Sequence, residues 1–175
     1  MENKLYIGID VGSEGFISAQ YNGQWQHYAI EDYDLYQLSE IFWRFRDAYV
    51  NIACVIEDVH ALGKSAAKST FSFGFNKGYL VGLLAANKIP YSLVSPSVWQ
   101  KEMWDNSDMV VSFKDVVRKD KVIRQKVVNT KQTSMNACKR LFPMIDQRKS
   151  ERAKKPNDNK VDSILMAEYA RRKNL

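Results

Sequence analysis

Residues 4–30 read KLYIGIDVGSEGFISAQYNGQWQHYAI, and this stretch decides the fold. Residues 5–10, LYIGID, are a short apolar run rich in β-formers that closes on an acid. Residues 15–21, GFISAQY, alternate as a half-buried strand does. Asn22-Gly23 is a strong two-residue hairpin signal, because both central residues of that turn take positive φ. Residues 24–30, QWQHYAI, supply the returning strand. The three runs predict an antiparallel meander.

Downstream, the periodicity changes. Leu35, Leu38, Ile41, Phe42, Phe45 and Tyr49 recur at helical spacing over 34–50. Residues 52–57, IACVIE, are continuously apolar, as a strand covered on both faces should be. Residues 65–87 predict a long helix with Gly74, Gly78 and Gly82 along one face, small enough for close packing. Residues 91–95 predict a fifth strand, and Ser95-Pro96 an N-cap followed by proline at the first helical position. Helices are expected at 130–141 and 157–173, and residues 105–129 stay unassigned as a charged insertion or lobe. The order predicts an α/β domain with a right-handed crossover between the fourth and fifth strands.

The chain of 175 residues suits one domain, and 45% hydrophobic and 12% aromatic residues argue against disorder. Net charge is +6, and it is clustered. Residues 109–131 hold seven Lys/Arg against two Asp, and residues 139–160 hold eight against three acids. Two basic zones on a mildly acidic body fit a phosphate polymer, or else a plain solvated face. Cys54 lies in an apolar run and reads as a buried small hydrophobe; with only Cys138 besides, no zinc or disulfide spacing exists. A strand that starts at once leaves no room for a targeting peptide, so the cytoplasm is the expected compartment.

The acids are the anomaly. Asp10 ends the first strand and Glu57 the fourth, where a charge is costly to bury unless paired or metal-bound. Asp158 and Asp162 stand at i and i+4 in KKPNDNKVDSILMAEYARR, residues 154–172, where like charges repel. Singly each has an ordinary explanation: Asp10 as a turn residue, Asp158 as an acid facing a helix dipole. Asp58, beside Glu57, reads as exposed. If the first and fourth strands are parallel neighbours, however, Asp10 and Glu57 lie side by side, and the final helix brings its pair to the same edge. Carboxylates without a histidine cluster make a hard-oxygen site suited to Mg²⁺ or Mn²⁺.

YIGIDVGSEG, VIEDVHALGKSA, FGFNKGYLVGLLAA, IPYSLVSPSVWQKEM, KRLFP and NDNKVDSILMAEYARR together resemble the RuvC-type Holliday junction resolvases, most of all the branch found in phages and chloroplasts. The resemblance spans most of the chain. It implies a ribonuclease H-like fold over residues 1–175, with a five-stranded mixed sheet, three strands antiparallel and then two parallel, and helices on both faces. It implies a homodimer that resolves four-way DNA junctions by paired symmetric cuts. Asp10, Glu57, Asp158 and Asp162 become ligands of two Mg²⁺ ions, replaceable by Mn²⁺, with Asp10 bridging both. Relatives often carry Glu at the last position and Gly at Asn159; neither change harms such a site.

One ion then activates water and the other stabilises the leaving 3′ oxygen. Lys64 is placed to reach the scissile phosphate, and His60 and Leu62 share its loop near the junction centre. Lys68, Arg118, Lys119, Lys154, Lys155 and Lys160 complete the expected DNA contacts. Phe71, Phe73 and Phe75 fit a wedge between bases or, more simply, core or dimer packing. Three other functions fit parts of the pattern. A nuclease on RNA–DNA hybrids shares the chemistry, and a non-catalytic junction binder shares the charge. An actin-like ATPase shares GIDVGS but needs a second lobe.

Overall fold

The expected meander forms. β1 (Lys4–Asp10), β2 (Phe16–Tyr21) and β3 (Gln24–Ala29) are antiparallel neighbours in a computed structural model that describes residues 3–12, 14–58, 67–118 and 121–175, with backbone alone at 67–69, 117–118 and 121. Asn22 and Gly23 both adopt positive φ, 48° and 80°, as the tight turn between β2 and β3 requires. β4 (Asn51–Glu57) lies parallel to β1, and β5 (Tyr91–Val94) parallel to β4, giving the order β3-β2-β1-β4-β5.

Helices cover both faces. α1 (Leu35–Ala48) starts on a capping box between Asp34 and Gln37. With α2 (Ala67–Ala86) it packs on the face made by Leu5, Ile7, Ile9, Cys54 and Ile56. The other face, with Tyr6, Ala53 and Val55, receives α3 (Pro96–Met103), α4 (Thr130–Leu141) and α5 (Asp158–Arg172). Ser95 does occupy the N-cap of α3 with Pro96 behind it, but its side chain makes no capping bond. Among the described residues nothing packs on the glycine face of α2: a Cβ at Gly74, Gly78 or Gly82 would meet none of them within 4 Å.

α5 is the central helix. Ile164, Leu165, Met166 and Ala167 are all fully buried, so this turn is covered around its whole circumference, one side on the sheet and the other under α3 and α4. It lies unusually close to β1. A Cβ on Gly8 would stand 2.1 Å from the Ser163 carbonyl oxygen and 2.4 Å from the Ala167 nitrogen, both backbone atoms that cannot step aside. Beside Gly8 on β2, Ser18 Oγ meets Ser163 Oγ at 2.6 Å and His27 Nδ1 at 2.9 Å. The Ser163 hydroxyl donates to the Lys160 carbonyl, so Ser18 donates to Ser163 and accepts from the imidazole N–H. Burial, aided by the Lys160 charge, pushes the His27 pKa down to about 4 and keeps the ring neutral.

The unassigned lobe resolves into a 3-10 turn at Asn106–Asp108 and a hairpin, β6 (Val111–Arg118) and β7 (Lys121–Val128), forming its own two-stranded sheet.

Gly8→Ala should lower stability by about 3 kcal/mol or more, because overpacking against backbone has no cheap relief. Urea unfolding checks this; a midpoint equal to that of the unsubstituted protein would show that α5 does not need this approach.

Candidate active site

Strand alternation aims the acids. On β1 the residues Tyr6, Gly8 and Asp10 face α5, and on β4 so do Ala53, Val55 and Glu57. The parallel register pairs Ile9 with Ile56, so the next residues, Asp10 and Glu57, end their strands side by side. α5 begins at Asp158, capped by the Asn157 side chain on the Lys160 N–H, and crosses this edge with Asp162 one turn later. Asn159 donates to the Glu14 carbonyl at 2.9 Å, tying the start of α5 to the β1–β2 turn.

The four carboxylates feel one another. Burial first, and the charge of Glu57 next, raise the Asp10 pKa to about 7, against the Gly12 N–H that Asp10 Oδ1 accepts at 3.3 Å. Asp162 is raised well above the carboxylate range by burial, against the nearby Ser134 hydroxyl, with the charges of Asp10, Glu57 and Asp158 adding to the rise. Its Oδ1 is buried and makes no well-formed hydrogen bond among the described residues. Glu57 is also raised by burial, while Trp99 Nε1 donates to its Oε1 at 3.2 Å. Asp158 forms an ion pair with Lys131 in the first turn of α4, which in turn raises the lysine. Among the described residues no three acidic, histidine or cysteine side chains are gathered closely enough to hold an ion between them.

Lys131 and Trp99 were not anticipated. A single lysine opening a helix and a lone tryptophan in a polar helix carry no sequence signal; only the packing of α3 and α4 on α5 brings them to the acids. Two expectations are corrected. Lys160 is no surface DNA contact: it is 8% exposed, and its ammonium donates to the Arg148 carbonyl at 3.0 Å. Asp58 is half-buried and paired with Lys77 rather than free in solvent. Lys154 and Lys155 are exposed. His60, Leu62, Lys64 and Lys119 lie outside the described residues, and the side chains of Lys68 and Arg118 do too.

Solved structures share this architecture. Thermus thermophilus RuvC in complex with a Holliday junction substrate aligns at a TM-score of 0.55 with 7% identity, over 97% of this chain and 96% of that one. The fold is of the RuvC type. A second Thermus thermophilus RuvC structure aligns at 0.50 with 9% identity, over 97% and 96%. No protein-family model and no curated protein matches the chain.

The raised acids make a pH prediction. Unfolded, Asp10 ionises near the usual value of about 4; folded, it holds its proton to about 7. The unfolded chain therefore binds fewer protons between these values, and stability falls as pH rises through them. In chelator, Asp10→Asn should raise Tm by several degrees at pH 7.5 and have little effect near pH 4. Thermal melts across that range check it; a variant less stable at pH 7.5 would contradict it.

Proposed function

We propose that the chain is a structure-selective endodeoxyribonuclease that resolves four-way DNA junctions by paired symmetric cuts, within the branch found in phages and chloroplasts. One observation supports the reading: four carboxylates from β1, β4 and α5 lie toward one sheet edge of a RuvC-type fold, and Asp10 and Asp162 are raised by burial and by the charges of the other acids. A pure DNA binder gains nothing from carboxylates facing phosphates.

The donor set suits a hard divalent cation. It is all carboxylate oxygen, one buried oxygen makes no well-formed hydrogen bond among the described residues, and repulsion among the groups is what a cation relieves. Asp10, Glu57, Asp158 and Asp162 would hold two Mg²⁺ ions, with Mn²⁺ as a substitute, and the bound metal supplies an activated water and stabilises the leaving 3′ oxygen. The chain's own residues set the stage. Trp99 fixes the orientation of Glu57, and the Gly8 contact fixes the depth of Asp162. Lys131 neutralises Asp158 and sits where an incoming phosphate would meet a positive charge. Lys64 belongs to the same proposal, and Lys154 and Lys155 are its phosphate contacts.

Two opposed cuts require two sites, so the active unit is a C2 homodimer. The outward face of α2 suits the contact: Phe71 and Phe75 are exposed and stacked, Phe75 meets Tyr79 edge-on, and Gly74 and Gly78 leave room for a partner's close approach. Sedimentation at micromolar concentration should show a dimer; a monomer that cuts both strands in one encounter would refute it.

Asp10→Asn should abolish cutting of a synthetic four-way junction in Mg²⁺ while binding holds or tightens, since less negative charge faces the DNA. Gel assays of cleavage and binding check both halves. Substantial cutting by that variant at saturating metal would sink the assignment. Preference for the RNA strand of a hybrid would favour the ribonuclease reading instead.

A further inference from the structure

The hairpin β6–β7 has no part in the chemistry above, yet its place is fixed. Asn129 N–H donates to the Val110 carbonyl at 2.8 Å and Val110 N–H to Thr133 Oγ1 at 3.1 Å, closing its base on α4. Asp108, 3% exposed, receives Arg140 of α4 through Nε at 3.0 Å and Nη2 at 2.6 Å. Asn136, also on α4, donates to the Asp108 carbonyl at 3.0 Å. The clamp is made to the helix whose first turn carries Lys131, the partner of Asp158. The ribbon therefore springs from the element beside the carboxylates. At eight residues a strand, it is about 26 Å long.

Its register sorts the side chains onto two faces. Phe113, Asp115, Val122, Arg124 and Lys126 share one; Lys114, Val116, Ile123 and Gln125 share the other. The apolar members are not spent on a core: Phe113 is 57% exposed, Val122 69% and Ile123 48%. The Arg124 guanidinium lies over the Phe113 ring at 5.0 Å and backs one side of it. Lys114, Arg124 and Lys126 outnumber Asp115 among the described side chains of the ribbon, so its charge selects a polyanion. Intact duplex would use the cations but not the exposed ring. Bases freed from their stack use both, because a ring offers a stacking platform and flanking cations hold the backbone.

We propose that β6–β7 is a base-contacting ribbon that engages unstacked bases at the branch point of the DNA substrate, with Phe113 stacking on a base and Arg124 and Lys126, on the same face, on neighbouring phosphates. The proposal rests on the junction reading above and adds where the branch is held.

The test is binding of a four-way junction carrying 2-aminopurine at the branch, compared with linear duplex, for the full chain and its Phe113→Ala and Lys126→Gln variants. Phe113→Ala should weaken junction binding roughly tenfold, remove the fluorescence change at the branch, and leave duplex binding and Tm unaltered. Lys126→Gln should flatten the slope of log K against log salt by about one. Unchanged junction binding and fluorescence in Phe113→Ala would overturn the proposal while leaving the junction reading intact. Equal losses on junction and duplex would overturn it in favour of backbone contact alone. A change in sedimentation without a change in DNA binding would overturn it in favour of a protein interface. Failure of the unsubstituted chain to prefer the junction would take the functional reading down with it.

Discussion

The structure depends on how closely α5 can lie on β1. Gly8 removes the side chain that would hold them apart, and the space goes to the Ser163 carbonyl and the Ala167 amide. Ser18 and His27 then knit the same spot from the neighbouring strands. The consequence reaches the site directly. Gly8 and Asp10 share one face of one strand, so whatever sets the depth of α5 at Gly8 also sets the distance of Asp162 from Asp10. The apolar turn Ile164–Ala167 suits this, because it can be buried between the sheet and a second layer on every side.

That burial sets up a conflict. The packing that orders α5 also strips water from Asp10 and Asp162, and each ionised group raises the cost of the next. The chain offsets this only in part: Lys131 takes Asp158, Trp99 takes one Glu57 oxygen, and one Asp162 oxygen makes no well-formed hydrogen bond among the described residues. Structural acids elsewhere in the protein are treated otherwise. Asp108 is bound on both oxygens by Arg140, and Glu168 is held by Arg171 and Arg172. Asp108 and Glu168 are closed with arginine; Asp10 and Asp162 at the sheet edge have no such partner among the described residues and hold their protons instead.

Much of this is legible in the sequence. Alternation in β1 and β2, the Asn22-Gly23 turn and the apolar run of β4 are local signals, and each element appeared where its pattern lies. Asp10 and Glu57 could be read because an acid closing an apolar strand has few cheap explanations. The hairpin could not: its strands mix charged and apolar residues on both faces, since it packs no core and so carries no alternation. Lys131 and Trp99 depend on helix packing that no local period encodes. Lys160 shows the limit of reading charge. It lies in a basic run, but it is one residue from Val161 on a helix that is buried throughout its middle, and its ammonium is satisfied by a carbonyl.

The central claim of the proposed function is that Asp10 and Asp162, raised by burial and by the neighbouring acids, are kept partly protonated until a divalent cation enters the site. Titration calorimetry with Mg²⁺ near pH 6.5, repeated in buffers of different ionisation enthalpy, measures this directly. The account predicts saturable binding with release of on the order of one proton per chain, much reduced in Asp10→Asn. Binding without proton release, or no binding that distinguishes the variant, would contradict it.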